Sequence, residues 1–559
     1  MKKLPYGISD YERLKENDYY YVDKTIYIEK LENIAEPYIM FLRPRKFGKT
    51  LFTSTLENYY DLKKKEKFES LFKDTYIGKN PTKLKNSYNI LKFNFSGIDT
   101  SNEETTIRGF RKKVSSSIMQ FVEKYGMDFY VNNDDEAENI LDNLIKAFSI
   151  QKAQEKIYVI IDEYDHFANE LLGFNTNQFK SLVSKNGKVR KWYEILKEGT
   201  ESVIDRIFIT GVAPITLDSL TSGFNISSDK TQNARFNEMI GFTEEQLKNI
   251  MSDQGIKEKE QEEILPIMKE NYDGYKFSIN GKEKIYNSNM CLYFLNNYLE
   301  LRKIPNQLID INIASDYSKL GKMLNLCKGE EREKIIEKTV SGEGIVSEIT
   351  QKFNPAIDFT ETDLVSMLYY LGYLTIEGDE IGYPILKIPN KVMKEIYSEY
   401  FLKILKEEIK LDINDNYTEI AREIALKGKI TKIVEMLEKY LQNLSNRDYQ
   451  KFDEKYVKLI FYCIAMNLKI FRLKSEMEIQ RKYPDILLIP KEKSKDYKGV
   501  MIEFKYLKKG EETKLKEKQE EAKKQIQEYG EFKEIKELKN INKYTVVAVN
   551  DKVYVEKID

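Results

Sequence analysis

Short apolar runs separated by longer amphipathic stretches dominate the first part of the chain. Residues 38–42, 89–95, 157–161 and 206–210 are rich in branched and aromatic side chains and read as strands. Between them the apolar positions follow the spacing of one helix face. Strands alternating with helices predict a parallel, doubly wound α/β sheet up to about residue 300. From about 301 to 400 the pattern is mostly helical. A helix over 363–372 followed by a strand and turn over 373–380 predicts a winged-helix-like unit. The last part, 401–559, opens with helices. It continues with strands at 469–478, 485–490 and 499–506, a Lys/Glu-rich helix at 511–529, and strands near 544–549 and 553–555. Three regions are therefore expected: 1–300, 301–400 and 401–559.

Composition narrows the chemistry. With 559 residues and 41% apolar side chains, several cores can be built. Acidic and basic residues nearly cancel, for a formal net charge of -1, so any surface for nucleic acid must be local. Cys291, Cys327 and Cys463 are far apart and form neither a zinc spacing nor a disulfide framework, which predicts a reducing, cytoplasmic setting. No apolar run approaches the roughly 20 residues of a membrane helix. Met1-Lys2-Lys3-Leu4-Pro5 has charge but no apolar segment behind it, so no signal peptide and no membrane partner are expected. His166 is the single histidine, which excludes histidine-rich metal centres. Any metal should have oxygen ligands, as Mg²⁺ or Mn²⁺ does.

The segment Arg43-Pro44-Arg45-Lys46-Phe47-Gly48-Lys49-Thr50 follows a predicted strand and opens a predicted helix, the context of a phosphate-binding (Walker A) loop. Loop N–H groups and a helix N-terminus favour phosphate. Arg43, Arg45, Phe47, Gly48, Lys49 and Thr50 are the expected contacts of an ATP molecule, with Lys49 on its β- and γ-phosphates and Thr50 on Mg²⁺. Arg43 stands where the usual pattern has its first glycine. Gly-Lys-Thr alone is weak evidence, but the strand 157–161 runs into Asp162-Glu163, a Walker B arrangement. Asp162, expected at the end of a neighbouring strand, would hold Mg²⁺ through water, and Glu163 would polarise the attacking water. Thr210 ends the strand 206–210, where it could orient water or sense the γ-phosphate; a plain strand end explains it as well. His166 reads as a loop histidine.

These segments, with Tyr21-Val22-Asp23-Lys24-Thr25, Thr210-Gly211-Val212, Gly241-Phe242-Thr243 and Tyr272-Asp273-Gly274-Tyr275, resemble the predicted AAA-ATPase-like family of bacteria and archaea. The resemblance implies a P-loop ATPase core followed by a small helical lid, and it makes Arg43 in place of glycine a family trait. Lys46 and Thr50 replace the Arg and Ser that members commonly carry. No arginine finger is identified, although Arg45 and Arg235 are candidates.

Near the other end, Pro484-Asp485 opens the strand 485–490, and Glu503-Phe504-Lys505 lies on the strand 499–506. Strand side chains alternate, so Glu503 and Lys505 share a face. If the two strands pair, Asp485 meets Glu503, and two carboxylates without histidine suit Mg²⁺. Lys505 could then orient water or stabilise a phosphodiester transition state. The pattern and the strand–strand–strand–helix–strand order resemble the PD-(D/E)XK nucleases. That resemblance adds Glu478, upstream of Asp485, and Gln525 with Tyr529 on the following helix. Arg481-Lys482-Tyr483-Pro484 stands where members often have Gly-Arg before the Asp.

The expected function is an ATP-binding and ATP-hydrolysing protein controlling a Mg²⁺-dependent nuclease, with DNA favoured over RNA, Mn²⁺ as an alternative metal, and homo-oligomers as a further state. Such fusions resemble defence or mobile-element proteins. The competing expectations are a nucleotide-gated signalling or assembly switch that binds nucleic acid without cutting it, and an ATPase motor with a structural last domain.

Overall fold

The computed structural model describes residues 1–166, 187–214, 225–305, 307–310, 320–324, 330–353, 360–411, 416–444, 453–475, 483–492 and 495–558. They form two compact units, Met1–Glu331 with Val346–Lys391, and Arg332–Ile345 with Val392–Asp559. The stretch expected as a connector, 301–400, contributes to both.

In the first unit the strands are β1 (Tyr38–Leu42), β2 (Asn89–Asn94), β3 (Ile157–Asp162), β4 (Ile204–Gly211) and β5 (Ser228–Asp229). All pairs are parallel, in the order β2-β3-β4-β1-β5. The connections carry α1 (Lys49–Tyr60), α2 (Glu103–Tyr125), α3 (Ala137–Gln151) and α4 (Lys188–Gly199). Helix α2 starts on a reciprocal cap between Asn102 and Thr105 and ends at Gly126, whose φ of 62° suits glycine. Aromatic rings build the layers around the sheet. Phe52, Leu56, Tyr59 and Tyr60 of α1 share a core with Phe41, Tyr158, Ile160 and Phe208 of the strands. Trp192 of α4 meets Phe93, Phe95 and Phe110 edge-on at 5.0, 5.6 and 5.6 Å, the favourable T-shaped geometry.

The strand order corrects one expectation. β3, which carries Asp162, does not neighbour β1; β4 stands between them. Asp162 nevertheless reaches the start of α1, because that helix lies across the sheet and packs on β3 as well.

Three helices follow the sheet: α5 (Glu244–Asp253), α6 (Glu258–Tyr272) and α7 (Ser288–Leu301). Helix α8 (Glu361–Tyr370) leads into an antiparallel hairpin of β6 (Thr375–Glu380) and β7 (Tyr383–Lys387), the predicted helix and hairpin. Gly274, with φ of 101°, lies so near the Pro389 carbonyl that a Cβ would sit 2.0 Å from its oxygen. Only glycine fits that crossing.

The second unit contains α9 (Glu454–Met466), β8 (Phe471–Lys474), β9 (Ile486–Pro490), β10 (Gly499–Leu507), α10 (Leu515–Gly530), β11 (Ile541–Val549) and β12 (Lys552–Ile558). The sheet order is β12-β11-β10-β9-β8. β8, β9 and β10 pair antiparallel, β10 and β11 parallel across α10, and β12 closes the edge antiparallel. β10 is buried along its whole length, as its central place requires. Met501 and Leu487 join Ile526 and Tyr529 of α10 in one core. On the opposite face of β10, Phe504 lies 5.8 Å from Phe461 of α9.

Candidate functional site

In the first unit the chain leaves β1, turns through Lys46 (φ 68°) and Gly48 (φ 100°), and enters α1 at Lys49. The left-handed Gly48 ends the loop at the helix N-terminus, where unpaired N–H groups accumulate. Lys49 is buried, and its ammonium donates to the carbonyls of Arg43 and Pro44 at 3.1 and 3.2 Å, so it spans the loop. It also lies 3.9 Å from Glu163 Oε1.

Asp162 ends β3 fully buried, and neither carboxylate oxygen has a hydrogen-bond partner. Burial and the Glu163 charge push its pKa up, while Lys49 and the approaching Thr50 hydroxyl pull it down. Thr50 is near enough to lower the pKa but not in hydrogen-bond geometry. An orphaned buried carboxylate beside a hydroxyl fits a hydrated Mg²⁺ held between them. Glu163 takes a left-handed φ of 52°, unusual for a non-glycine residue. It lines the cleft with Arg45, Phe47, Gly48, Lys49 and Thr50, in a volume of ≈ 510 Å³.

Two expected contacts lie elsewhere. The Arg43 guanidinium is turned into the core, and Arg43 is absent from the cleft lining. Thr210 is buried, and its hydroxyl donates to the Phe41 carbonyl at 2.7 Å, bracing β4 against β1. Of the candidate fingers, Arg45 lines the cleft 3.5 Å from His166 Nδ1, whereas Arg235 is exposed on a short 3₁₀ turn.

The structure adds residues that the sequence reading left without a role. Lys24, Asn94, Ser96 and His166 line the cleft. Lys24 donates to the Glu238 carbonyl at 2.8 Å, and burial pulls its pKa down to about 7. Its signal was the Tyr21–Thr25 segment of the resemblance. Two other segments interlock: Asp165 accepts the Val212 and Ala213 N–H groups at 3.0 and 2.7 Å. Burial, then the Glu163 charge, pushes Asp165 up to about 6. A Cβ on Gly211 would stand 2.1 Å from Asp165 Oδ1, which explains the glycine after Thr210.

In the second unit, the register that sets Ile486 opposite Ile502 carries Asp485 to the level of Glu503. The Phe504 N–H donates to Asp485 Oδ2 at 2.8 Å. Lys505 donates to Glu503 Oε1 at 3.1 Å, with all three side chains buried. The Asp485–Glu503–Lys505 grouping expected from alternation is thus assembled.

Residues 5–221 match the family model described as a predicted AAA-ATPase, and residues 452–558 match that of the PD-(D/E)XK nuclease superfamily. The chain joins a predicted AAA-ATPase domain to a PD-(D/E)XK nuclease-superfamily domain. An uncharacterized protein from the vnfD 5′ region of Azotobacter chroococcum mcd 1 is 25% identical over 244 residues, covering 44% of this chain. The match spans 43% of that relative, less than half of its length.

The electrostatics of the nuclease-superfamily domain suit a cation. Burial, then the Asp485 charge, pushes Glu503 up to about 7, with Lys505 and Lys458 opposing. Glu503 Oε2 is buried without a hydrogen-bond partner. A divalent cation between the two carboxylates would satisfy that oxygen and relieve their repulsion. Among the described residues no group of three His, Cys, Asp or Glu side chains gathers as a metal cage. Glu478, the third expected acid, lies outside the described residues. Gln525 lies on α10, and its Oε1 is buried without a partner. Glu521, one turn earlier, is 3.9 Å from Lys505. Lys458 of α9 stands 2.9 Å from Asp485 Oδ1. No motif in the sequence marks Lys458 among the many lysines of the chain. Among the described residues no helix is long and apolar enough to cross a membrane.

Proposed function

We propose that this protein is an ATP-dependent nuclease in which Mg-ATP at the P-loop controls phosphodiester cleavage, most readily of DNA, at Asp485, Glu503 and Lys505. The observation that carries the reading is Asp485 brought level with Glu503 by the strand register, with Glu503 Oε2 buried without a partner and Lys505 on the same face as Glu503.

On this reading Asp485 and Glu503 would hold a Mg²⁺ or Mn²⁺ ion. Such an ion supplies Lewis acidity that lowers the pKa of a bound water and offsets charge on the phosphate. Lys505 is oriented by Glu503 and presents its ammonium to the phosphodiester. Gln525, one turn after Glu521 on α10, would offer its amide. At the other site, Lys49 exchanges the loop carbonyls for nucleotide phosphates, because charge-assisted bonds to phosphate are stronger than bonds to neutral carbonyls. Thr50 and Asp162 would hold Mg²⁺, and Glu163 would take up the proton of the attacking water. Arg43 and Thr210 act through the loop and sheet rather than by touching the nucleotide.

The test uses the full chain with plasmid DNA, linear DNA and RNA, with Mg²⁺ or Mn²⁺, with and without ATP. Cleavage that disappears in Asp485→Ala while ATP turnover persists is the expected result. No cleavage of any substrate by the unaltered protein would sink the nuclease reading and leave the nucleotide-gated switch. Cleavage indifferent to ATP and to Lys49→Ala would remove the coupling.

A further inference from the structure

The carboxylates of the nuclease-superfamily domain already hold a cation supplied by the chain itself. Lys458 lies on α9, and its ammonium is 2.9 Å from Asp485 Oδ1 and 2.9 Å from Glu454 Oε1, one turn earlier on the same helix. The Lys458 side chain is 21% exposed and that of Asp485 8%. The other Asp485 oxygen, Oδ2, takes the Phe504 N–H at 2.8 Å. Glu503 Oε1 takes Lys505 at 3.1 Å. Of the four oxygens, Glu503 Oε2 is the one without a partner.

This arrangement has a consequence for metal entry. An ion shared between Asp485 and Glu503 needs an oxygen from each. Glu503 offers Oε2, but Asp485 has one oxygen tied to the backbone and the other tied to Lys458. An ammonium and a divalent ion cannot both contact Asp485 Oδ1 without strong like-charge repulsion in a buried setting. Glu454 gives the ammonium a second seat that needs little movement, because residues four apart on a helix are neighbours. Glu454 is also the more exposed carboxylate of the two, at 40%. A lysine shared between an outer and an inner carboxylate can therefore yield the inner one and remain paired.

We propose that Lys458 is a positioning residue of this centre: without metal its ammonium holds and neutralises Asp485, and a divalent cation binds by displacing it from Asp485 onto Glu454. The proposal rests on the nuclease reading above. It makes Lys458 a competitor of the metal and Glu454 its accomplice, so the two side chains have opposite effects on metal affinity. A merely structural helix-surface pair would give no such opposition.

Mn²⁺ binding to the nucleotide-free, full-length protein tests this by titration calorimetry, without any nucleic acid. Lys458→Met keeps length and removes charge; Mn²⁺ should bind tighter by on the order of tenfold or more. Glu454→Gln leaves Lys458 with Asp485 alone, and Mn²⁺ should bind several-fold more weakly. Lys458→Arg keeps the charge and should restore wild-type affinity. If Lys458→Met binds Mn²⁺ no tighter than wild type, or Glu454→Gln no more weakly, the proposal is overturned. Should Lys458→Met fail to fold, the sign of the Glu454→Gln change decides alone. Asp485→Asn separates the two levels. If it abolishes the Mn²⁺ signal while the Lys458 and Glu454 variants change nothing, only the role of Lys458 falls. If it leaves the signal unaltered, the metal-dependent nuclease reading falls with it.

Discussion

Replacing Arg43 by glycine would restore the first glycine of the usual phosphate-binding loop, and the structure predicts that this damages the protein. Arg43 is 1% exposed. Its guanidinium donates to the carbonyls of Leu42, Thr231 and Phe236 at 2.8, 2.8 and 2.9 Å. Its central carbon lies 4.1 Å from the ring centroids of both Phe41 and Phe277. Burial pulls its pKa down to about 9. Removing it strands up to three carbonyls at about 1–3 kcal/mol each. It also forfeits the two ring contacts, each worth about 0.5–2 kcal/mol. Relief of the guanidinium's own desolvation offsets several kcal/mol of this, as does water entering the vacated space. The net loss expected is about 3–5 kcal/mol, the range for breaking a buried charged network. Urea unfolding of the full chain measures it, with fluorescence of the single Trp, Trp192, which is fully buried in this unit, as the probe. Arg43→Gly should unfold at lower urea yet bind ATP with unchanged affinity where it remains folded, because Arg43 does not line the cleft. A variant within about 1 kcal/mol of wild type would refute the strut role. A folded variant that has lost ATP binding would show that the arginine touches nucleotide after all.

Three further outcomes follow from the same geometry. The folded pKa of Glu503, about 7, lies above the ordinary carboxyl value, so the metal-free fold loses stability as pH rises from about 4.5 through 7. Glu503→Gln should therefore be more stable than wild type in chelator at pH about 8 and equal at pH about 4; parallel pH dependences in thermal melts would contradict this. Glu163→Gln should lower ATP turnover by about 10²–10⁴-fold while leaving ATP binding intact, as measured by phosphate release and a fluorescent-nucleotide titration; unchanged turnover would remove Glu163 from the water's proton path. Gly211→Ala places a Cβ 2.1 Å from Asp165 Oδ1 and 2.5 Å from Tyr164 Cδ1, and so should cost about 1–3 kcal/mol in the same urea assay; a neutral result would mean that the Asp165 loop gives way freely.

The two domains differ in how openly their residues announce the chemistry. Two facts of strand geometry bring Asp485, Glu503 and Lys505 together, while their chemistry is legible only through the resemblance: side chains alternate, and a hairpin-like pairing of 485–490 with 499–506 leaves one register that buries the apolar face. Ile486 opposite Ile502 is that register. At the P-loop, Gly48, Lys49 and Thr50 follow equally from local sequence, because a left-handed glycine, a helix start and a lysine are adjacent in the chain. Asp162 was legible as a strand end, but its strand was placed one position too close.

Local pattern suffices for the elements, their alternation, the loop at a helix N-terminus and the carboxylate pair, since each depends on residues a few positions apart or on one strand pairing. Tertiary structure alone decided that β4 separates β1 from β3, that Arg43 faces Thr231 and Phe236 instead of the cleft, that Thr210 braces Phe41, and that Lys458 sits on Asp485. The reason is physical. Periodicity reports which face of an element is buried, but not which distant element buries it, and an arginine or lysine finds its acceptors only once the chain has brought them within 3 Å or so.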